Sequence, residues 1–313
     1  MTTAFVFPGQ GSQAVGMGKS LADNFVSART VFDEVDTALG EKLTQTMWEG
    51  PADKLMLTEN TQPALLAVSI AALRVLEAEA GIDLTRDVAF LAGHSLGEYS
   101  AHAAAGSFAL ADAARLVRIR GRAMQQAVPV GVGAMAALLG LDDEAARAVA
   151  REAAQGEVCE AANDNAPGQV VVSGHKTAVE RAVAIAKTRG ARAMMLPVSA
   201  PFHCALMKPA ADVMAVSLAK VKVGTPKVRV VANVTALPVK DPAEIVKLLV
   251  AQITDTVRWR QSVAYLAANG VNRIVEIGSG RVLAGLVKRI AKEVSTATVG
   301  TADDVLAFKN VKA

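Results

Sequence analysis

Gly93-His94-Ser95-Leu96-Gly97 fits G-x-S-x-G, a pattern that does chemistry when it joins the end of a buried strand to the start of a helix. Both neighbours are of the required kind, since Val88 to Ala92 is an apolar run of strand type and Leu96 to Ala105 reads as helix. Glycines two before and two after Ser95 allow the tight turn that lifts its hydroxyl clear of a sheet. The Leu96 amide is then free to donate to an oxyanion. That is the placement of a serine nucleophile. Ser95-Leu96-Gly97-Glu98 is also a capping box, so the competing reading is that Ser95 closes the first turn of its helix. Capping has no need of Gly93 and Gly97 together.

A serine nucleophile needs a base, and the chain has only four histidines, so elimination is possible. His94 adjoins the nucleophile and should point away from it. His102 lies two helical turns along the same helix, about 10 Å by rise and beyond hydrogen-bond reach. His175 opens a helix in another part of the chain. His203 remains, in the loop Ser199-Ala200-Pro201-Phe202-His203-Cys204, and is the expected base.

Arg120 is the charged residue with the clearest message. On the helix Ala111 to Gln126 the positions nearest its direction are Ala113, Leu116, Val117, Ala123, Met124 and Ala127, all apolar. Arg115, Arg118 and Arg122 are expected on the opposite face. A guanidinium in a buried stripe needs an anion, either a protein carboxylate or a substrate carboxylate held in a bidentate fork. Gly9-Gln10-Gly11-Ser12-Gln13-Ala14 matches the dinucleotide fingerprint G-x-G-x-x-A after a strand. That fingerprint expects a second strand ending in an acidic residue about 20 positions on, whereas Phe25 to Leu39 reads as helix. The remaining readings are a plain strand-to-helix turn, or a loop that brings backbone amides to a bound group with Gln10 as a second oxyanion donor.

The elements that must position these residues follow α/β grammar. Ala4 to Phe7, Val88 to Ala92, Val228 to Ala232, Ile274 to Ile277 and Ala297 to Val299 are short apolar runs separated by helical text, as in a parallel sheet. From Gly133 the order changes to β-α-β-β-α-β, the split βαβ of a ferredoxin-like unit. Pro129-Val130-Gly131 and Pro197 bracket it as hinges. The expected organisation is a discontinuous catalytic domain over 1–126 and 199–313, with a ferredoxin-like subdomain inserted at 127–198.

Composition removes several function classes. With 33 Lys+Arg against 30 Asp+Glu the net charge is only +3, which gives no strong pull toward nucleic acid or an anionic membrane. Few aromatic rings are available as stacking platforms for single strands. Two cysteines, Cys159 and Cys204, cannot build a disulfide framework or a four-cysteine zinc site. With no signal-peptide core and no apolar run of membrane-spanning length, the expected location is the cytoplasm.

The residues also resemble a known family, the malonyl-CoA:acyl carrier protein transacylases of fatty acid synthesis and the related acyltransferase domains of polyketide synthases. The resemblance is carried in order by Phe7 to Gln13, Thr61-Gln62-Pro63-Ala64-Leu65, Gly93 to Tyr99, Arg118-Ile119-Arg120-Gly121, Asn163 to Val172 and the loop ending in His203. It implies a hydrolase-like α/β core, a ping-pong transfer through a malonyl-serine, and no metal or redox cofactor. The implied partners are malonyl-CoA and holo acyl carrier protein. By position Ser95 resembles the nucleophile, His203 the base, Arg120 the carboxylate clamp, and Gln10 and Leu96 the oxyanion donors. Gln252 resembles the residue whose backbone carbonyl orients the histidine, and Gln62 and Phe202 belong with the substrate-binding residues. Phe202 stands where some members have Ser, which bears on the acyl group. Arg281, Lys288, Arg289 and Lys292 are candidates for docking an acidic carrier protein, beside the plainer reading of solvated surface. The alternatives are a serine esterase or thioesterase, disfavoured because more than a hundred residues follow His203, a nicotinamide-dependent oxidoreductase, and a non-catalytic scaffold.

Overall fold

The first apolar run becomes strand β1 (Thr3–Phe7) in a computed structural model that describes residues 1–198 and 200–312. Ser199, the first residue of the loop toward His203 and of the expected second catalytic segment, lies outside the described residues, as does Ala313. The other strands are β2 (Phe90–Gly93), β3 (Gly133–Leu139), β4 (Cys159–Ala166), β5 (Gln169–His175), β6 (Arg192–Met195), β7 (Arg229–Val231), β8 (Pro238–Val239), β9 (Arg273–Ile277) and β10 (Ser295–Val299). They form a six-stranded sheet in the order β10-β9-β1-β2-β7-β8 and a four-stranded sheet in the order β4-β5-β3-β6.

The larger sheet is parallel except for β8, which pairs antiparallel with β7. Its central strands β1 and β2 are almost wholly apolar because both faces are covered. Phe5, Phe7 and Leu91 face one cluster, built around the helix Thr58–Ala80, while Ala4, Val6, Phe90 and Ala92 face another, with Trp259, Val263 and Leu286. The chain between β1 and β2 is helical, including Val26–Leu39, so no acidic strand end follows the glycine loop and the dinucleotide reading fails. Phe7 pairs with Gly93, so the loops after β1 and β2 leave the sheet side by side at its carboxyl edge.

The smaller sheet is antiparallel, and helices Asp143–Ala154 and Lys176–Thr188 pack on it through a small-residue core that includes Ala146, Ala150, Ala178 and Ala182. This gives the α/β class expected, a parallel sheet with an antiparallel insertion. The apolar pattern predicts a strand over Val158 to Ala162, and β4 runs four residues beyond it. Its register shifts at Ala161/Asn163 and Asp164/Ala166, so Asn163-Asp164-Asn165 stay in the strand as an irregular, polar segment. Asn163 bridges to Val257 of the larger unit, which places this end of β4 against it.

One helix departs from its wheel. Arg118, expected on the outer face with Arg115 and Arg122, is 5% exposed and bonds Asn60 Oδ1 and the Glu41 carboxylate. The helix Leu110–Gln126 still leaves Arg115 and Arg122 exposed, and Arg118 is buried because these two partners from elsewhere in the chain cover it. Among the described residues no helix is long and apolar enough to cross a membrane.

Candidate active site

Ser95 sits at the carboxyl end of β2 with φ +53°, a left-handed conformation that costs a non-glycine residue about 1–3 kcal/mol unless the surroundings hold it. The surroundings are backbone. A Cβ on Gly93 would lie 1.9 Å from the Gly97 carbonyl oxygen, and one on Gly97 would lie 2.2 Å from the Phe7 oxygen. Both glycines of the motif are therefore required by close backbone approach. The capping reading does not hold: the helix Gly97–Ala104 has no side-chain cap, and Glu98 is turned inward with 1% exposure.

The Ser95 hydroxyl has two partners. His203 Nε2 lies 2.8 Å from Ser95 Oγ, and His203 Nδ1 lies 2.7 Å from the Gln252 carbonyl oxygen. A carbonyl only accepts, so Nδ1 carries the proton and Nε2 is left to accept from the serine. Burial, reinforced by the nearby Arg120 charge, pushes His203 down to about 3, so the resting imidazole is neutral and its Nε2 carries no proton. Arg120 Nη2 donates to Ser95 Oγ at 3.1 Å and to Gln252 Oε1 at 2.8 Å, while its Nη1 donates to Gln62 Oε1 at 2.9 Å. Arg120 is 1% exposed, and all three acceptors are neutral.

The remaining sequence candidates line the same cavity of about 220 Å³. Gln10, Leu96, Phe202 and Gln62 are in its wall with Ser95, His203 and Arg120, and Gln252 stands behind them. The backbone amides of Gln10 and Leu96 have no acceptor among the described residues, which leaves both available to a ligand oxygen. The Gln10 side chain reaches Thr58 Oγ1 at 3.4 Å. Met124, Met135, Val171, Leu196 and Leu286 supply apolar wall from both sheets' surroundings.

The other histidines do not reach the serine. His94 pairs with Asn165 Oδ1 at 2.8 Å, His102 is buried beside Ser107, and His175 accepts from the Val158 amide. Burial raises the thiols of Cys159 and Cys204 to about 12 and about 11, so neither is a nucleophile.

Comparison with known proteins gives this geometry its context. The acyl transferase domain family matches residues 4–305. The chain belongs to that family. The malonyl CoA-acyl carrier protein transacylase of Salmonella typhimurium is 51% identical over 288 residues, 92% of each chain. Among solved structures, an acyl-carrier-protein-S-malonyltransferase from Bartonella henselae is similar at 55% identity with TM-score 0.97, covering 100% of this chain and 99% of that one. A malonyl-transacylase in complex with a type II PKS acyl-carrier protein is similar at 44% identity with TM-score 0.96, covering 99% and 100%.

Three side chains of this acyltransferase site escaped the sequence reading. Asn233, after β7, accepts from the Ser95 amide at 2.8 Å and donates to the Gly93 carbonyl at 2.7 Å, clasping the turn from both sides. Glu98 accepts from Gln252 Nε2 at 2.7 Å, and Asn165 holds His94. No local pattern marks Asn233, whereas Glu98 and Asn165 fall inside motifs that carried the resemblance. Arg289, a docking candidate, is engaged within the acyltransferase. It bonds Gln169 Oε1 and, at 3.0 Å, the Pro167 carbonyl, tying its helix to the β4–β5 turn.

Proposed function

We propose that this acyltransferase moves a malonyl group from malonyl-CoA to the phosphopantetheine thiol of an acyl carrier protein through a malonyl-Ser95 intermediate. Arg120 carries the reading. It is a buried guanidinium beside the nucleophile, and its hydrogen bonds go only to neutral oxygens. A buried cation that hydrogen-bonds no carboxylate is costly even with the Glu98 charge nearby, and a substrate carboxylate offsets that cost. The names of the relatives at 51% and 55% identity, and the carrier protein in the 44% identical complex, support the same substrates.

In this reading His203 takes the Ser95 proton as Oγ attacks the thioester carbonyl, and the Gln10 and Leu96 amides hold the resulting oxyanion. The tetrahedral intermediate collapses to the malonyl-serine ester, and His203 returns the proton to the departing CoA sulfur. The carrier-protein thiol then gives its proton to His203 and attacks the ester. Collapse of the second intermediate releases malonyl-carrier protein and reprotonates Ser95. Intact-protein mass after mixing with malonyl-CoA tests the scheme, since a stable malonyl adduct on the enzyme requires a covalent first half.

Arg120→Ala should lower malonyl transfer by about 10²-fold or more, as expected for removing one partner of a buried charge pair, and raise relative activity toward acetyl-CoA. An unchanged malonyl-to-acetyl ratio of kcat/KM would show that the arginine does not read the carboxylate. Phe202, 8% exposed and adjoining His203, forms cavity wall where the acyl α-carbon must pass. Phe202→Ser should relax the preference for malonyl over methylmalonyl within the roughly 10–200-fold that one methyl group allows. Equal kcat/KM ratios for the two thioesters in wild type and variant would assign that selectivity to other residues.

A further inference from the structure

Glu98 lies on the first turn of its helix, a place where a carboxylate ordinarily faces water near the positive end of the dipole. Here it is 1% exposed, and Oε2 accepts from Gln252 Nε2 at 2.7 Å and from the Asn233 amide at 3.1 Å. Each donor residue has a second task. The Gln252 carbonyl accepts a hydrogen bond from His203 Nδ1–H, and Gln252 Nε2 also donates to the Ser95 carbonyl at 3.0 Å. The Asn233 side chain spans the Gly93 carbonyl and the Ser95 amide. Because Asn233 occupies the amide of Ser95 itself, the next amide, that of Leu96, is the one left over for a ligand.

We propose that Glu98 is the positioning acid of this site, holding nucleophile and base in register through Asn233 and Gln252, one residue removed from where a triad carboxylate would bond the imidazole directly. The proposal rests on the reading of Ser95 and His203 as nucleophile and base. An apolar side chain would fill the same space without the desolvation cost of a carboxylate, but it would take the acceptor from the Asn233 amide and from one N–H of Gln252 Nε2. Charge strengthens both hydrogen bonds, since an ionised acceptor is roughly twice as strong as a neutral one.

The charge is also adjustable. Burial pushes Glu98 up to about 7, against the pull of its two hydrogen bonds and of Arg120 on the helix Leu110–Gln126. Tyr99, its other titratable neighbour, is itself pushed up by burial, and His203 stays neutral through the same range. Ionisation of Glu98 should therefore tighten the network as pH rises through neutrality.

The test is the rate at which a fluorophosphonate labels Ser95, which reads the serine-histidine pair without needing any particular acyl substrate. The serine oxygen bonds to phosphorus and fluoride leaves. Between pH 6 and 8.5 the wild-type rate should rise through about 7. Glu98→Gln keeps an oxygen acceptor without charge, so its rate should be flat and about 3–10-fold slower at the alkaline end. Glu98→Ala should be about 10²-fold slower at every pH, consistent with two bare buried donors. If Glu98→Ala does not fold, the Glu98→Gln profile decides: the wild-type pH step retained in Glu98→Gln overturns the proposal, as does a fully active Glu98→Ala. Absence of labelling in wild type would overturn the nucleophile assignment instead.

Discussion

Ser95→Ala protein mixed with malonyl-CoA should show no mass increase, while wild type acquires one malonyl group. The expectation rests on geometry that no other serine among the described residues has: a left-handed backbone that presents Oγ to the cavity, and His203 Nε2 2.8 Å away to receive its proton. Ser69 and Ser100 are buried in helices, and their hydroxyls have no hydrogen-bond partner, hence no base. Removing Oγ leaves the Ser95 amide still clasped by Asn233, so the variant should fold and bind thioester without reacting. A malonyl mass on another residue of the variant would place the nucleophile elsewhere.

His203→Ala should slow acylation by about 10²–10⁴-fold, the range for losing a positioned general base. Burst kinetics with malonyl-CoA measure this directly, with near-ultraviolet circular dichroism to confirm packing. No second imidazole is placed to substitute, because His94 is paired with Asn165 and His102 is buried beside Ser107. A burst as fast as wild type would require another proton acceptor and would dismantle the pair.

What could be read from the chain beforehand follows from how far each interaction reaches along it. The elbow was legible because the motif is contiguous and the clash that demands glycine at 93, with the Gly97 carbonyl, lies within a single turn. The contact that demands glycine at 97 comes instead from Phe7 on β1. The base was legible only because histidines are few. Gln252 could be placed through resemblance alone, since its carbonyl meets His203 across 49 residues and its amide meets Ser95 across 157. Asn233 was invisible for the same reason, being 138 residues from the amide it holds. Arg118 was misread because a helical wheel cannot show that Asn60 and Glu41, from distant parts of the chain, cover one position on a side that leaves Arg115 and Arg122 exposed. β4 was cut short because Asn163 to Asn165 look like loop until the opposing strand and Val257 supply partners.

The two loops that carry the candidate oxyanion donors touch at two points where nothing larger than hydrogen fits. Gly97 lies against the Phe7 carbonyl, and a Cβ on Gly9 would come within 2.6 Å of the His94 carbonyl oxygen. Gln10 and Leu96 each lie one residue from such a contact, and so are set like the jaws of a caliper whose gap is defined by backbone alone. In the proposed reaction their amides would meet a developing negative charge without first having to move, which is the condition under which fixed dipoles are worth most to a reaction. The same construction couples the loops mechanically. A substitution that shifts the end of β1 opens or closes the gap even where it touches no catalytic side chain, and a methyl group at Gly9 or Gly97 must force the jaws apart.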